Sequence, residues 1–418
     1  MAASAEIILS NYPVGFKSFI ADTPHFEGIG IATAEKLWQT FGGDIYQILE
    51  DKNLSKLLTV KGLGNASAVS LITGYEKFSY LKYSKFFTKY EIPVPIQKRI
   101  YKFKGVTDGS LIEKDGIKFD PDPSIMIKEN PYSLSIFGMT FNQNDRMAKK
   151  HFGIKDDAPR RLIAAVTHCL RKHTSNGYTI AINKQLVKPL KDMLRCDELV
   201  SKAFAGAYDR RAFIIYPDSG VYQFTPTYIM ENVVAKRFLE LHNKGEAYNE
   251  SENDACSSAF QLNSFELEEQ QREAVITSVS YAISCITGGA GTGKTTVLNT
   301  VLNAYDQMGY NIKAVALSGR AAMRMRQSIQ RPCSTIAKFL KEEPIDDIGN
   351  NKFLLVIDES SMVDLPTIFK IVIHIDPEVR ILFVGDPNQL PPIGAGNILA
   401  DIVQSRVINN TELNIVKR

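Results

Sequence analysis

Ile286-Thr287-Gly288-Gly289-Ala290-Gly291-Thr292-Gly293-Lys294-Thr295-Thr296 decides the fold. The run fits G-x-x-x-x-G-K-[ST], the phosphate-binding P-loop. Its glycines let successive backbone N–H groups turn toward an anionic phosphate with no Cβ in the way. The cradle runs from Gly288 through Gly289, Ala290, Gly291 and Thr292 to Gly293. Lys294 brings a point charge to the β- and γ-phosphates, the Thr295 hydroxyl suits Mg²⁺, and Thr296 continues into a helix. Upstream, residues 281–286 (YAISCI) form a short apolar run that reads as a buried strand, and downstream, residues 296–305 (TVLNTVLNAY) read as a helix. Strand, glycine loop and helix is the order such a site needs, because the helix N-terminus adds its dipole. A glycine turn without chemistry would need neither the Lys-Thr pair nor this context.

Working outward, residues 353–359 (FLLVIDE) form a second apolar strand that ends in two acids. Asp358 would hold Mg²⁺ through its water shell, and Glu359 would polarise an attacking water. An acidic strand end can also be a plain helix cap, but at this distance from a P-loop the pair reads as a Walker B site. Residues 380–391 (RILFVGDPNQLP) give the next strand and its loop, with Gln389 placed to sense the γ-phosphate. Just before the P-loop strand, Gln271 offers both a donor and an acceptor, which suits the edge of adenine. Residues 314–317 (AVAL) are a further strand, followed by 318–322 (SGRAA) and a short helix opened at 334–339 (STIAKF).

The N-terminal half carries a different signature. Phe26-Glu27-Gly28-Ile29-Gly30, then a helical Ala/Leu pattern, recurs as Val60-Lys61-Gly62-Leu63-Gly64. Apolar-x-Gly-apolar-Gly before a helix is the helix-hairpin-helix pattern. Amides at Gly28, Gly30, Gly62 and Gly64 can then face a DNA phosphate, backed by the positive end of the next helix, in a readout blind to sequence. A plain helix connection is the alternative, since glycine ends helices for many reasons. A third, decayed copy spans residues 136–141 (IFGMTF), with Thr140 where the second glycine would stand. Residues 75–105 interleave lysines with aromatics, as a stacking surface or, more simply, as a helix with an aromatic core face. Residues 156–177 read as an amphipathic helix, 212–224 as a β-hairpin turning at Asp218-Ser219-Gly220, and 231–242 as helical. The polar stretch 243–264 reads as an interdomain linker. The expected division is therefore 1–110, 111–242, the linker 243–264, and 265–418.

The 418 residues allow two or three domains, and 44% hydrophobic content supplies large cores. A net charge of +3 excludes a globally basic protein but not basic patches. Five scattered cysteines with no CxxC pair point away from a zinc site or disulfide framework and toward reduced thiols in the cytoplasm. No signal peptide or membrane-spanning run is seen, so no membrane partner is expected.

Residues 267–418 resemble the first RecA-like domain of superfamily 1B DNA helicases. The GRAA, DESSMVD and GDPNQLPPIGAGNILADI stretches are most similar to the RecD-like branch. The N-terminal half resembles the helical extension of long RecD-like helicases. The fold class implied is α/β: a mostly helical N-terminal region with helix-hairpin-helix units, then a RecA-like P-loop domain with a parallel sheet. The resemblance implies ATP and Mg²⁺ as cofactors and movement 5′ to 3′ on single-stranded DNA or 5′-tailed DNA. It sets Ser318, Gly319, Arg320 and Thr335 beside the DNA backbone, in the cytoplasm of a bacterial or phage-infected cell. It also matches Arg418 to a catalytic arginine at the start of the next helicase motif. On that match the second RecA-like domain is missing, and the sequence is expected to be a fragment, a split gene product or a truncated copy. Residues 340–352 (LKEEPIDDIGNNK) are short and polar where relatives insert a β-hairpin pin, so a reduced pin is expected. Two other readings stay open: a nucleotide-controlled DNA-binding module without turnover, and a P-loop ATPase of DNA metabolism that does not translocate.

Overall fold

Each glycine hairpin builds the same turn. The computed structural model describes residues 16–17, 20, 26, 28–76, 83–101, 112–114, 117–119, 123–245, 249–345, 348–349 and 351–415. The chain divides into two units, residues 1–164 and 165–418. In the first, Gly28 and Gly62 take φ of +76° and +92°, the left-handed region that glycine enters without a Cβ penalty. Ile29 and Leu63 between the glycines are buried, and their N–H groups donate to the carbonyls of Phe26 and Val60 at 3.2 and 3.0 Å. The carbonyls of Gly30 and Gly64 then accept from Ala34 and Ala68, both at 3.0 Å, and open helices α1 (Ile31–Phe41) and α4 (Asn65–Glu76). Helices α2 (Ile45–Glu50) and α3 (Leu54–Leu57) lie between them in sequence. Phe16, Leu37, Ile45, Leu57 and Leu71 fill one shared core. A Cβ on Gly28 would lie 3.8 Å from Ser67 Oγ of α4, and one on Gly62 would lie 3.7 Å from Lys36 Nζ of α1. Each glycine turn thus rests against the helix that the other one starts.

Helices α5 (Ser84–Lys89) and α6 (Val94–Tyr101) follow, then the antiparallel strands β1 (Ile112–Lys114) and β2 (Ile117–Phe119). Helix α7 (Pro123–Glu129), a 3₁₀ helix at Pro131–Phe137, α8 (Phe141–Phe152) and α9 (Pro159–Ser175) complete the run. Of the lysine–aromatic stretch, Tyr83 and Phe87 are core residues beside Ile100, Ile127 and Leu134; positions 77–82 lie outside the described residues. The third hairpin shares the left-handed glycine, Gly138 at φ +87°, and the buried residue after it, Met139, but the Met139 N–H donates to Leu134 O at 3.2 Å, five residues back rather than three. Its chemistry differs. The Thr140 N–H donates to Gln143 Oε1 at 3.1 Å and the Thr140 hydroxyl accepts from Gln143 N–H at 3.4 Å. This reciprocal cap consumes the amide that a phosphate would need. Behind it, Arg161 is buried; its Nε donates to Asp145 at 2.8 Å, and the Tyr132 hydroxyl donates to the same carboxylate at 2.7 Å.

In the second unit, the part of α9 from Ala165 onward is followed by β3 (Ile180–Ile182), α10 (Asn183–Leu194), α11 (Asp197–Asp209), β4 (Phe213–Tyr216) and β5 (Val221–Phe224). The expected β-hairpin is β4–β5, extended by β3 into an antiparallel sheet of order β3-β5-β4. Then follow α12 (Thr225–His242), α13 (Glu250–Gln261), α14 (Glu269–Ser280), β6 (Ile283–Gly288), α15 (Lys294–Gln307), β7 (Tyr310–Ala316), α16 (Gly319–Ile329), β8 (Cys333–Thr335), α17 (Ile336–Phe339), β9 (Lys352–Asp358), α18 (Leu365–His374), β10 (Arg380–Gly385), α19 (Ile398–Ser405) and β11 (Asn409–Leu413). The six strands β6 to β11 pair in parallel, in the order β11-β6-β10-β9-β7-β8. Alternate side chains serve two cores, as a sheet covered on both faces requires. Leu355, Ile357, Ile381 and Phe383 face α12, α18 and α19. Leu354, Val356, Leu382 and Val384 face α13, α14, α15 and α16.

Two expected divisions fail, and the stretch read as a linker is structured. The core holding Tyr83, Phe87 and Met147 runs straight across position 110. At the other limit, Val234, Phe238 and Leu241 of α12 belong to the core of the P-loop sheet. Within 243–264, residues 250–261 are not a linker but helix α13. Asn249 caps it by accepting from Ser251 N–H at 2.9 Å, and Ala255, Cys256 and Ala259 bury a narrow face against the P-loop helix α15. Its polar composition is the solvent side of an amphipathic helix. In the interval 340–352, the described residues show one isolated bridge, Ile345 to Ile375, and no β-hairpin.

Candidate nucleotide site

The carboxyl ends of β6, β9 and β10 meet at one place, where open parallel sheets carry their ligands. The P-loop needs its glycines here for steric reasons. A Cβ at Gly288 would lie 2.5 Å from Leu413 O and 2.8 Å from Thr292 Oγ1, and one at Gly293 would lie 2.5 Å from Gln271 Nε2. Gly288, Gly291 and Gly293 all have positive φ, at +152°, +80° and +88°. Thr292 Oγ1 donates to Gly289 O at 2.9 Å and Lys294 Nζ donates to Gly288 O and Gly289 O at 2.5 and 2.7 Å, curling the loop on itself. Burial pushes the Lys294 ammonium below the usual lysine range, while Asp386 and Asp358 pull it back up. Ala290 is exposed at the loop tip, and Thr296 lies in the first turn of α15.

A cavity of about 270 Å³ opens beside the loop. Lys294, Thr295, Asp358, Glu359 and Gln389 all line it, so five of the residues marked from the sequence converge. The half-buried Asp358 carboxyl is pushed up by desolvation, countered by the Glu359 N–H that donates to it at 2.8 Å. Glu359 holds φ +50°, a left-handed conformation that costs a non-glycine residue roughly 1–3 kcal/mol and clusters at functional sites. Two further wall residues had not been singled out. Asp386 accepts from Asn388 N–H at 3.0 Å and from Gln389 Nε2 at 3.4 Å, and so steadies Gln389. Its signal was available: it is the acid at the end of a strand in the stretch that marked Gln389. Arg324 of α16 had none, because an arginine among several on a helix cannot be aimed from sequence.

Gln271 does not line this cavity. Its buried carboxamide lies over the loop, accepting from Glu268 N–H at 3.3 Å and donating to Thr292 O at 3.5 Å. Among the described residues no three of His, Cys, Asp and Glu converge as a metal site. The donor set that is present, Thr295 with Asp358, fits Mg²⁺ arriving with phosphate oxygens, the way that ion is commonly held. Ser318 and Thr335 sit at the carboxyl ends of β7 and β8 and cap the helices that follow, accepting from Ala321 N–H and Lys338 N–H, both at 3.1 Å. Gly319 and Arg320 are exposed next to Ser318. Gly28, Gly30, Gly62 and Gly64 are exposed in the other unit, and Arg418 lies outside the described residues. No helix among the described residues is long and apolar enough to cross a membrane.

A parallel sheet, a P-loop on its β6 end and paired acids on its β9 end define a RecA-like P-loop nucleotide-binding domain. Residues 266–418 match the AAA domain family, and residues 76–180 match the HHH domain of the ATP-dependent RecD2 DNA helicase. An uncharacterized protein of Methanocaldococcus jannaschii is 26% identical over 69% of this chain and 30% of its own length. The RecBCD enzyme subunit RecD of Haemophilus influenzae is 32% identical over 32% of this chain and 26% of its own. The ATP-dependent RecD2 DNA helicase of Deinococcus radiodurans is 31% identical over 33% of this chain and 20% of its own. Over residues 76–180 and 266–418 the chain is similar to parts of RecD-like DNA helicases. It spans less than a third of the length of each of these relatives.

Proposed function

We propose that this chain is the ATP-binding part of a DNA helicase or translocase that moves 5′ to 3′ on single-stranded DNA, in the cytoplasm of a bacterial or phage-infected cell. One observation carries the reading: a single cavity gathers Lys294, Thr295, Asp358, Glu359 and Gln389, a set suited to phosphoryl transfer. In this reading the P-loop amides hold the phosphates and Lys294 exchanges the carbonyls of Gly288 and Gly289 for phosphate oxygens. Thr295 and Asp358 hold Mg²⁺, which when bound spreads the charge on the transferring group. Glu359 accepts the proton of the attacking water, and Gln389, held by Asp386, senses whether a γ-phosphate is present. Gln271 closes the loop on the adenine side. Ser318, Gly319, Arg320 and Thr335, at the sheet edge formed by β7 and β8, follow the DNA backbone, with the Gly28–Gly30 and Gly62–Gly64 turns as sequence-blind phosphate contacts. A second RecA-like domain, in this protein or a partner chain, closes the nucleotide cleft and supplies further arginines.

The test is ATP turnover with and without single-stranded DNA, followed by displacement of a strand from 5′-tailed and 3′-tailed duplexes, with that second domain present. DNA-stimulated turnover and unwinding of the 5′-tailed substrate are expected. Turnover indifferent to DNA would sink the motor reading.

A further inference from the structure

Helix α16 reads Gly-Arg-Ala-Ala-Met-Arg-Met-Arg and carries three arginines in two turns. Its Ala321, Ala322, Met325 and Ile329 are buried, which fixes its rotation and sends the arginines to different places. Arg326 is exposed and acts electrostatically on the Cys333 thiol. Arg324 lines the nucleotide cavity with Lys294, Thr295, Asp358 and Glu359. It is exposed, and among the described residues it has no ion-pair partner. The acids there act electrostatically on Lys294. Two cations, Lys294 and Arg324, thus share one space of about 270 Å³ with three carboxylates, Asp358, Glu359 and Asp386, and among the described residues none of these acids forms an ion pair with Arg324. Such a gap suits a group that bears negative charge toward the arginine and meets the acids through a metal. A metal-bound phosphoryl group has that polarity, and a guanidinium matches its oxygens in a planar fork. The cavity is bounded by Thr295, Glu359 and Gln389, whereas Gln271 lies outside it against Gly293. It is therefore the metal and γ-phosphate end of the site, not the base end.

We propose that Arg324 is a catalytic residue supplied by the P-loop domain itself, its guanidinium contacting the γ-phosphate of ATP. This rests on the nucleotide-site reading above. It adds an arginine within the domain to those a second domain would bring. Because Arg324 stands one turn beyond Arg320, a shift of α16 on DNA contact would also move the γ-phosphate ligand.

The experiment is calorimetric binding of Mg-ATPγS and Mg-ADP to the full chain, as wild type, Arg324→Ala, Arg324→Gln, Arg324→Lys and Lys294→Ala. A charge-assisted contact to the γ-phosphate is worth roughly ten- to a hundredfold in affinity. Arg324→Ala and Arg324→Gln are expected to lose that factor for Mg-ATPγS and to keep Mg-ADP affinity within about twofold, with Arg324→Lys recovering part of the loss. Lys294→Ala should weaken both nucleotides. An unchanged ratio of the two affinities in Arg324→Gln, whether both fall or neither does, overturns the proposal while a Lys294→Ala defect upholds the site. If Lys294→Ala binds both nucleotides like wild type, the site reading itself fails and the Arg324 proposal with it.

Discussion

Replacing Lys294 by alanine tests the nucleotide site most directly, and its cost follows from what the ammonium touches. An ammonium about 4 Å from one unit of phosphate charge gains about 4 kcal/mol at an effective dielectric of about 20. Against this, Nζ must leave Gly288 O and Gly289 O, its acceptors at 2.5 and 2.7 Å, at about 1 kcal/mol each. The net contribution is about 2 kcal/mol, so Lys294→Ala should weaken Mg-ATP binding about thirtyfold. Calorimetry at neutral pH measures it, and a loss under about threefold would refute the reasoning. The pH dependence carries a sign. Burial lowers the free-protein pKa of Lys294 below its ordinary 10.5, and bound phosphate, which favours the charged form, raises it again. Wild-type affinity should be flat at neutral pH and start to fall at an alkaline pH below the ordinary lysine value. Binding should take up protons in that window. The alanine variant should show neither effect.

In the proposed site Asp358 would have to ionise to hold Mg²⁺, and burial holds its pKa above the ordinary 3.8. The Mg²⁺ enhancement of fluorescent ATP binding should therefore fade, as pH drops, at a higher pH than an exposed aspartate would give; Asp358→Asn should remove the enhancement at every pH. Arg161→Ala strands Asp145 inside the first unit with Lys149 as its remaining cation at 3.2 Å, at a cost of about 3 kcal/mol. Urea unfolding followed on that unit would read it, and Arg161→Ala with Asp145→Ala together should cost less than the sum of the two. Desolvation raises the Asp145 carboxyl, but the hydrogen bonds from Arg161 and Tyr132 outweigh it and leave it lowered. Its stabilisation should be present above the unfolded aspartate pKa and be lost as pH falls through the folded one. Gly28→Val and Gly62→Val place a β-branched residue at φ +76° and +92°. They should lower DNA affinity equally for unrelated sequences and reduce the salt slope of binding; a sequence-dependent loss would contradict phosphate readout.

What could be read locally was legible because its chemistry is local. A P-loop needs a strand, glycines at positive φ and a helix start within a dozen residues, so the run around Lys294 announces its own backbone. The acids at Asp358 and Glu359 follow the same logic, since a buried parallel strand that ends in carboxylates has few other uses beside a P-loop. The two glycine hairpins at Gly28 and Gly62 repeat a turn whose form depends on four or five residues, and the third copy, with Thr140 in place of a glycine, keeps only its left-handed glycine and the buried residue after it. Long-range packing was not legible. Residues 250–261 look like a tether because α13 buries only Ala255, Cys256 and Ala259, and so small an apolar stripe acquires meaning only when α15 is set against it. The limits at 110 and 242 failed for the same reason: cores are closed by residues far apart in sequence. By itself the sequence determined the local devices, namely the glycine loop before α15, the acids at the end of β9 and the glycine turns at Gly28 and Gly62, because each is set by short-range backbone geometry. Only the tertiary structure decided which helices close the sheet, that Gln271 lies on the loop rather than in the cavity, and that Arg324 and Asp386 join the acids. Those outcomes depend on how each helix is rotated by the apolar residues it buries, a property of the whole core that no single segment contains.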